Sequence, residues 1–250
     1  MKKQTKLIGL LSLAFAVTAY AGSIIETQVE TPIEISAETE SIVIDTNTSF
    51  STEEVFRGVN VGDSTGEVAV STEFELPADI VMSLETQYAQ SDSEVSNSDT
   101  DVAVAFSKSV EDYLLSLSYT WRSTDFTEGN SNMQEIGLSV SKDFGPVTAT
   151  LTQYIATQGD NNGYCEFSGV YSNDFGVLPV VLDFYSEVGY LAQEGKLTHF
   201  LSKISTDLPV AGEVVASPFI AYSLGLNESV GVHSDTRNLF FGGVEMKRAF

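Results

Sequence analysis

Carboxylates are the side chains of this sequence that could do chemistry, since it contains 35 acidic residues and only 12 basic ones. Charged residues recur at every second position of short segments whose other positions are apolar, so each segment collects its charges on one face. The ten candidate site residues on this face are Arg57, Glu67, Glu73, Glu75, Glu85, Arg122, Glu135, Glu166, Asp183 and Glu187. Eight carboxylates around a confined aqueous path would lower the energy of cations and raise that of anions.

Hydrolytic chemistry is the alternative that the two histidines could support. A serine hydrolase needs a nucleophile, a base and an orienting group close together. Ser202 lies three residues after His199, which puts it on the opposite face of a strand. His233 lies in a long polar segment, where a preorganised site is least expected. The sequence has no phosphate-binding glycine loop and no Cys/His cluster with zinc spacing, so we expect no enzyme activity, no cofactor and no metal site.

Acidic residues also cluster in the longer polar segments. They are Asp92, Glu94, Asp99, Asp101, Asp125, Glu128 and Asp160. Their carboxylate oxygens could ligate Ca²⁺ or Mg²⁺, or they could simply solvate an exposed surface, and we expect the second.

The elements that must position these charges are β-strands. From Ser49 onward, apolar and polar residues alternate in twelve short segments, beginning with Ser49 to Arg57 and ending with Asn238 to Phe250. Five connections are short, and six are longer and polar: 58–66, 89–100, 123–132, 158–163, 192–196 and 225–237. Short turns at one end and long loops at the other are typical of outer-membrane barrels. We predict an all-β fold, a twelve-stranded antiparallel transmembrane β-barrel of outer-membrane type.

The last strand runs to the final residue and is apolar on one face. An unpaired end strand is a liability in a soluble sheet, whereas closure into a barrel removes the edge. The terminus resembles the C-terminal assembly signal of bacterial outer-membrane barrels, and its candidate residues are Phe240, Val244, Met246 and Phe250. The resemblance implies the outer-membrane barrel assembly machinery as a partner. Arg248 departs from the pattern and could snorkel to the interface or point inward.

The N-terminus has the layout of a secretory signal peptide, with an early run of lysines, a short apolar stretch and a small-residue cleavage site. We predict a signal peptide over residues 1–21, cleaved after Ala21, and localisation in the cell outer membrane. Residues 22–47 form an acidic periplasmic N-terminal segment, which could be a tail, a docking strand or a plug in the barrel. The barrel itself is predicted over residues 48–250.

Charge and cysteine content exclude other classes. The signal peptide carries three basic and no acidic residues, so the chain after it has nine basic and 35 acidic residues, a formal charge of −26. This balance argues against nucleic acid as a partner, because phosphate binding needs basic patches. Cys165 is the one cysteine, so no internal disulfide can form, and stability must come from packing or barrel closure.

One motif points to a family. The sequence Ser-Thr-Glu-Glu-Val-Phe-Arg-Gly-Val-Asn-Val-Gly-Asp over residues 51–63 resembles the first strand of the TorF-like outer-membrane porin family, although Glu54 takes the place of an aromatic residue. The resemblance implies an outer-membrane pore of unknown substrate and brings no catalytic residues. Alternation keeps Arg57 off the lipid face, where an arginine is unfavourable. Arg57 is therefore either a selectivity residue or the structural partner of a lumenal carboxylate.

These observations predict a porin for passive diffusion of ions or small polar solutes with weak cation selectivity. Its partners would be outer-membrane lipid and small solutes or cations, and the oligomeric state stays open. The alternative is a closed structural, adhesive or ligand-binding barrel that acts through its outer loops.

Overall fold

The computed structural model describes residues 44–57, 59–62, 64–91, 96–126, 129–159, 161–174, 180–226 and 238–249. The predicted signal peptide, residues 22–43 of the N-terminal segment, and Phe250 lie outside the described residues. Regular structure in the described ranges consists of fifteen strands: β1 (Ile44–Ser51), β2 (Glu54–Phe56), β3 (Val59–Gly62), β4 (Thr65–Leu76), β5 (Ile80–Ser91), β6 (Ser96–Val110), β7 (Tyr113–Phe126), β8 (Gly129–Phe144), β9 (Val147–Gln158), β10 (Tyr164–Asp174), β11 (Val181–Leu191), β12 (Lys196–Ser205), β13 (Leu208–Ala211), β14 (Val214–Gly225) and β15 (Leu239–Ala249). In these ranges, no helix is long and apolar enough to cross a membrane.

Twelve of the strands form one closed ring. β1 pairs with β4, strands β4 to β12 pair in chain order, β12 pairs with β14, β14 with β15, and β15 returns to β1. All of these pairings are antiparallel, and the closing pair runs from Asp45 opposite Ala249 to Ser51 opposite Gly243. Closure leaves no free edge in the wall. The prediction of a twelve-stranded antiparallel barrel is confirmed.

Alternation along the strands separates the two faces of the wall. Leu117 and Leu138 are cross-strand neighbours in β7 and β8, and each side chain is 47% exposed on the outer face. The positions that alternate with these leucines point inward, and here they are small or polar, as Ser118 and its cross-strand neighbour Gly137 show. An apolar outer face of this kind is solvated by lipid hydrocarbon. The same alternation therefore gives the barrel a polar lumen.

The closing strand β15 follows the predicted pattern on its outer face. Phe240 is 72% and Met246 is 42% exposed, and Val244 lies between them on the same alternate positions. Phe241 follows Phe240 directly and is buried on the inner face. There its ring meets Phe219 edge to face, with the ring centroids 6.4 Å apart. The two adjacent phenylalanines therefore serve different faces of the wall, because successive side chains of a strand point to opposite sides.

The first strand differs from its prediction. The wall strand β1 spans Ile44–Ser51 instead of Ser49 to Arg57, and the chain after it forms a separate two-stranded antiparallel hairpin, β2–β3. Polar residues occupy both faces of β1, so the apolar alternation that normally marks a wall strand is weak there. Val55 and Phe56 supply a stronger apolar signal further along the chain. The sequence pattern therefore places the first wall strand too far toward the C-terminus.

Two predicted loops are mostly strand. β6 begins at Ser96, β7 continues to Phe126, and β8 begins at Gly129, so the predicted loops 89–100 and 123–132 are wrong in their bounds. The backbone ladder between β7 and β8 continues to the pair Phe126–Gly129. Backbone pairing does not need apolar side chains, so the strands continue where the hydrophobic alternation has already stopped.

Candidate functional site

The β2–β3 hairpin lies inside the barrel, and Arg57 joins it to the far wall. The guanidinium donates from Nη1 to Glu135 Oε1 at 2.9 Å and from Nη2 to Glu135 Oε2 at 2.7 Å. Glu135 belongs to β8, which is five strands away from β1 in the twelve-strand ring. The chain therefore crosses most of the lumen between Ser51, the last residue of β1, and Arg57.

Aromatic rings enclose the Arg57 guanidinium. Its Cζ atom lies 4.8 Å from the ring centroid of Phe56, 4.8 Å from that of Tyr154 and 4.3 Å from that of Tyr164. Such cation–π contacts strengthen when water is excluded, and the Glu135 side chain is only 5% exposed. Asn161 supplies one more donor, from Nδ2 to Glu135 Oε1 at 2.6 Å. Glu135 is thus a buried carboxylate with several charged or polar donors.

A second ion pair supports the hairpin from the wall. Arg122 in β7 donates from Nε to Asp101 Oδ1 at 2.8 Å and from Nη2 to the other carboxylate oxygen. Its Cζ atom lies 3.9 Å from the ring centroid of Phe56. Asp101 is buried and directly opposite Arg122 in the β6–β7 register. The prediction that Asp101 solvates an outer loop is wrong, because β6 continues through it with its side chain facing the lumen.

The hairpin and the wall enclose a cavity of about 310 Å³, which we call the loop-side cavity because it lies toward the end of the barrel with the longer connections. Five of the ten predicted site residues line it. They are Arg57, Arg122, Glu135, Glu166 and Glu187. Sequence alternation therefore selected residues that the fold brings together from five different elements.

A second cavity of about 430 Å³ lies toward the opposite end, where the turns are short, and we call it the turn-side cavity. Glu67 and Glu85 line it, together with Asp45, Glu213 and Lys247. The other three predicted site residues line neither cavity. Glu73 and Glu75 are exposed near the β4–β5 turn, and Asp183 is half-buried near the start of β11.

Ion pairing divides the lumenal charges into two groups. Four basic side chains each pair with a carboxylate: Arg57 with Glu135, Arg122 with Asp101, and both Lys203 and Lys247 with Glu245. Of the predicted site residues that line a cavity, Glu67, Glu85 and Glu166 have no ion pair with a basic side chain among the described residues. Sequence reasoning missed Lys203, Glu245 and Lys247, although all three follow the inward alternation of β12 and β15.

His199 is buried without any exposed surface and belongs to a packed network. Its Nε2 atom lies 2.7 Å from Glu187 Oε1, and its Nδ1 atom lies 2.8 Å from Thr198 Oγ1. The register shift between Val188 and Tyr190 shows a β-bulge that turns both Thr198 and His199 inward, opposite Gly189.

A hydrolytic centre does not form around His199. The Ser202 hydroxyl contacts Ser186 Oγ at 3.4 Å instead, and His199 lines neither of the two cavities. His233, the other histidine, lies outside the described residues.

The described ranges contain no group of three or more His, Cys, Asp or Glu residues that could hold a metal ion. Asp99 lies within β6 and not in a loop. Asp92, Glu94, Glu128 and Asp160 lie outside the described residues, so the expectation that they solvate the surface stays a prediction.

No protein-family model and no curated protein matches the chain. Solved structures that resemble it include the KdgM porin, with 12% identity, coverage of 83% of this chain and 99% of the porin, and a TM-score of 0.48. The NanC porin has 10% identity, 83% and 98% coverage, and a TM-score of 0.48. Outer membrane phospholipase A from Escherichia coli has 11% identity, 82% and 92% coverage, and a TM-score of 0.47. This group of similar structures includes both porins and a phospholipase.

Proposed function

We propose that the protein is an outer-membrane porin through which ions or small polar solutes diffuse passively, with a weak preference for cations. The observation that carries the proposal is a charged lumen within a closed ring whose outer face is apolar. A closed barrel satisfies its backbone hydrogen bonds in lipid, and its polar lumen offers an aqueous path. Diffusion along such a path needs no catalyst and no cofactor. Membership of the TorF-like porins agrees with this function and stays a prediction.

The size of the ring limits what could pass. Twelve strands about 4.8 Å apart and tilted by about 40° give a backbone radius of about 12 Å. Side chains and the β2–β3 hairpin occupy part of this space, and the two cavities that remain measure about 310 Å³ and 430 Å³. These dimensions favour ions and small polar solutes over large substrates.

The preference for cations rests on the carboxylates without basic partners. Glu67 and Glu85 line the turn-side cavity, and Glu166 lines the loop-side cavity. A carboxylate that is not neutralised by a neighbouring base keeps its field in the aqueous path, where it attracts cations and repels anions.

A closed structural, adhesive or ligand-binding barrel is the second candidate. The observation that favours it is the hairpin itself, because β2–β3 fills part of the lumen between β1 and β8. Such a protein would act through its outer loops and would not need a continuous aqueous path.

Planar bilayers separate the two candidates. The purified protein is first shown to be folded by its heat-modifiable mobility in gels, and is then added to a bilayer in 1 M KCl. Stepwise conductance is expected for a porin. Repeated silence from folded protein would contradict the porin and favour the closed barrel.

Export and assembly form a separate part of the proposal. The signal peptide is cleaved after Ala21, and the apolar face that ends in Phe250 engages the barrel assembly machinery. Deletion of Phe250 is expected to reduce the folded protein in the outer-membrane fraction, whereas deletion of Gln193, an exposed residue of the β11–β12 connection, leaves the folded amount unchanged. Equal recovery of both deletion variants would contradict the role of Phe250.

A further inference from the structure

The β2–β3 hairpin is attached to the barrel wall by side chains and not by sheet pairing. Its two strands pair with each other and form a sheet separate from the wall. The β1–β4 pairing ends where Ser51 faces Thr65, and the last backbone hydrogen bond of this segment to the wall runs from Thr52 N to Gly242 O at 2.9 Å. A segment that is absent from the wall ladder can move without breaking the ring.

We infer that the β2–β3 hairpin is the gate of the pore and that the Arg57–Glu135 ion pair is its latch. This inference rests on the proposed porin function and identifies the residues that would regulate it. When the latch is formed, the hairpin lies across the loop-side half of the lumen. When it is broken, the hairpin swings toward β1 and the path widens.

The latch has the features of a specific contact. The guanidinium and the carboxylate meet through two parallel hydrogen bonds, the geometry that gives arginine–carboxylate pairs their specificity. The backbone of Arg57 is in the left-handed region with φ of 50°, as is usual in a two-residue connection such as the one between the paired residues Phe56 and Val59. This turn places the Arg57 side chain at the tip of the hairpin.

Phe56 provides the second point of attachment. Its ring lies on the Arg122 guanidinium, which is fixed in turn by Asp101. Arg122 and Asp101 both belong to wall strands, so this pair stays in place when the hairpin leaves. The movable part of the gate is therefore the tip of the hairpin with Phe56 and Arg57. The fixed part is the wall, where Arg122 and Asp101 stay in place.

Opening changes the charge of the path as well as its width. In the latched state Arg57 neutralises Glu135 beside the loop-side cavity. Displacement of the hairpin removes this positive charge and leaves Glu135 and Glu166 facing the path. The gate thus predicts that a wider pore is also more cation-selective, which a simple loss of barrel stability would not produce.

The test compares single-channel conductance and reversal potential across four folded proteins. Arg57→Ala alone would leave Glu135 buried without its partner, so the latch variant combines Arg57→Ala with Glu135→Gln. A second variant replaces residues 53–63 with a short Gly-Ser turn and removes the gate entirely. The control is Lys108→Ala, which removes a basic side chain that is exposed on the outer face of β6.

The latch and gate-deletion variants are expected to conduct about twofold more than the parent or better, because a hairpin of two strands occupies a large share of a twelve-strand lumen. The gate-deletion variant, which keeps Glu135, is also expected to show a stronger preference for potassium over chloride. The latch variant has lost both charges of the pair and should keep the selectivity of the parent, while Lys108→Ala matches the parent in conductance and selectivity. A silent parent with a conducting deletion variant also supports the gate. If the parent and the deletion variant conduct equally, the proposal of a gate is wrong and the proposed porin function is supported. If none of the four folded proteins conducts, both the proposed gate and the proposed porin function are wrong.

Discussion

Glutamate carboxylates line both the loop-side and the turn-side cavity, but the two sets differ in whether they contact a basic side chain. In the loop-side cavity Arg57 engages Glu135 and joins the hairpin to the wall, and His199 engages Glu187 between the wall strands β11 and β12. In the turn-side cavity Glu67 and Glu85 have no ion pair with a described basic residue. The comparison teaches that charge in a lumen has two uses. Paired carboxylates hold the structure together, and in the proposed porin the unpaired ones would act on the ions that pass.

The largest expected effect comes from breaking a wall ion pair on the loop side. Arg122→Met leaves the carboxylate of Asp101 buried without its partner, which should destabilise the folded barrel by about 3 kcal/mol or more. The measurement is the denaturant concentration at which heat-modifiable mobility is lost. Glu85→Gln, which removes an unpaired turn-side charge, is the matched control and is expected to change this midpoint little.

The double variant sharpens the same comparison. Arg122→Met combined with Asp101→Asn removes both charges, so most of the lost stability should return. If Arg122→Met and Glu85→Gln shift the midpoint equally, the distinction between structural and unpaired charges is wrong.

Gly189→Ala is the next test, and it concerns the packing of the loop-side network. A Cβ atom at Gly189 would overlap the side chains of Thr198 and His199, and overpacking of this kind destabilises by about 1–3 kcal/mol. Gly169→Ala in β10 is the matched control, since its Cβ would meet only Thr148 O at an ordinary 3.7 Å. The unfolding midpoint should fall for the first variant alone. An equal midpoint for both would contradict the packed state of His199.

Sequence periodicity is sufficient for eleven of the twelve strands of the barrel wall, all but β1. Apolar alternation, short turns and polar loops identify these strands because a wall strand needs one lipid face and one lumenal face. The same alternation placed Glu67, Glu85, Glu135 and Glu166 inward without any structural information. Alternation predicts only whether a side chain lies on the lipid face or the lumenal face of its strand, and this can be assigned from local sequence.

The hairpin could not be predicted in this way. Residues 53–57 alternate as a wall strand would, and the feature that separates them from the wall is the pairing of Arg57 with Glu135, 78 residues away. Periodicity carries no information about such a partner. For Arg57 the sequence left open a selectivity residue and a structural partner, and the geometry puts it in contact with a lumenal carboxylate. The same limit explains why the lumenal role of Asp101 was missed, because its partner Arg122 lies in the next strand.

The smallest expected effect is on selectivity, and it tests the turn-side cavity directly. Glu67→Gln with Glu85→Gln should lower the preference for potassium over chloride at least twofold, since each of the two unit charges, about 8 Å from an ion in water, contributes about 0.5 kcal/mol. The measurement is the reversal potential in a KCl gradient. Glu73→Gln with Glu75→Gln removes the same charge from exposed positions near the β4–β5 turn and should shift the potential less. The difference should shrink in 1 M salt, where screening acts within about 3 Å. An equal shift from the two pairs would mean that selectivity follows total charge and not the unpaired carboxylates of the turn-side cavity.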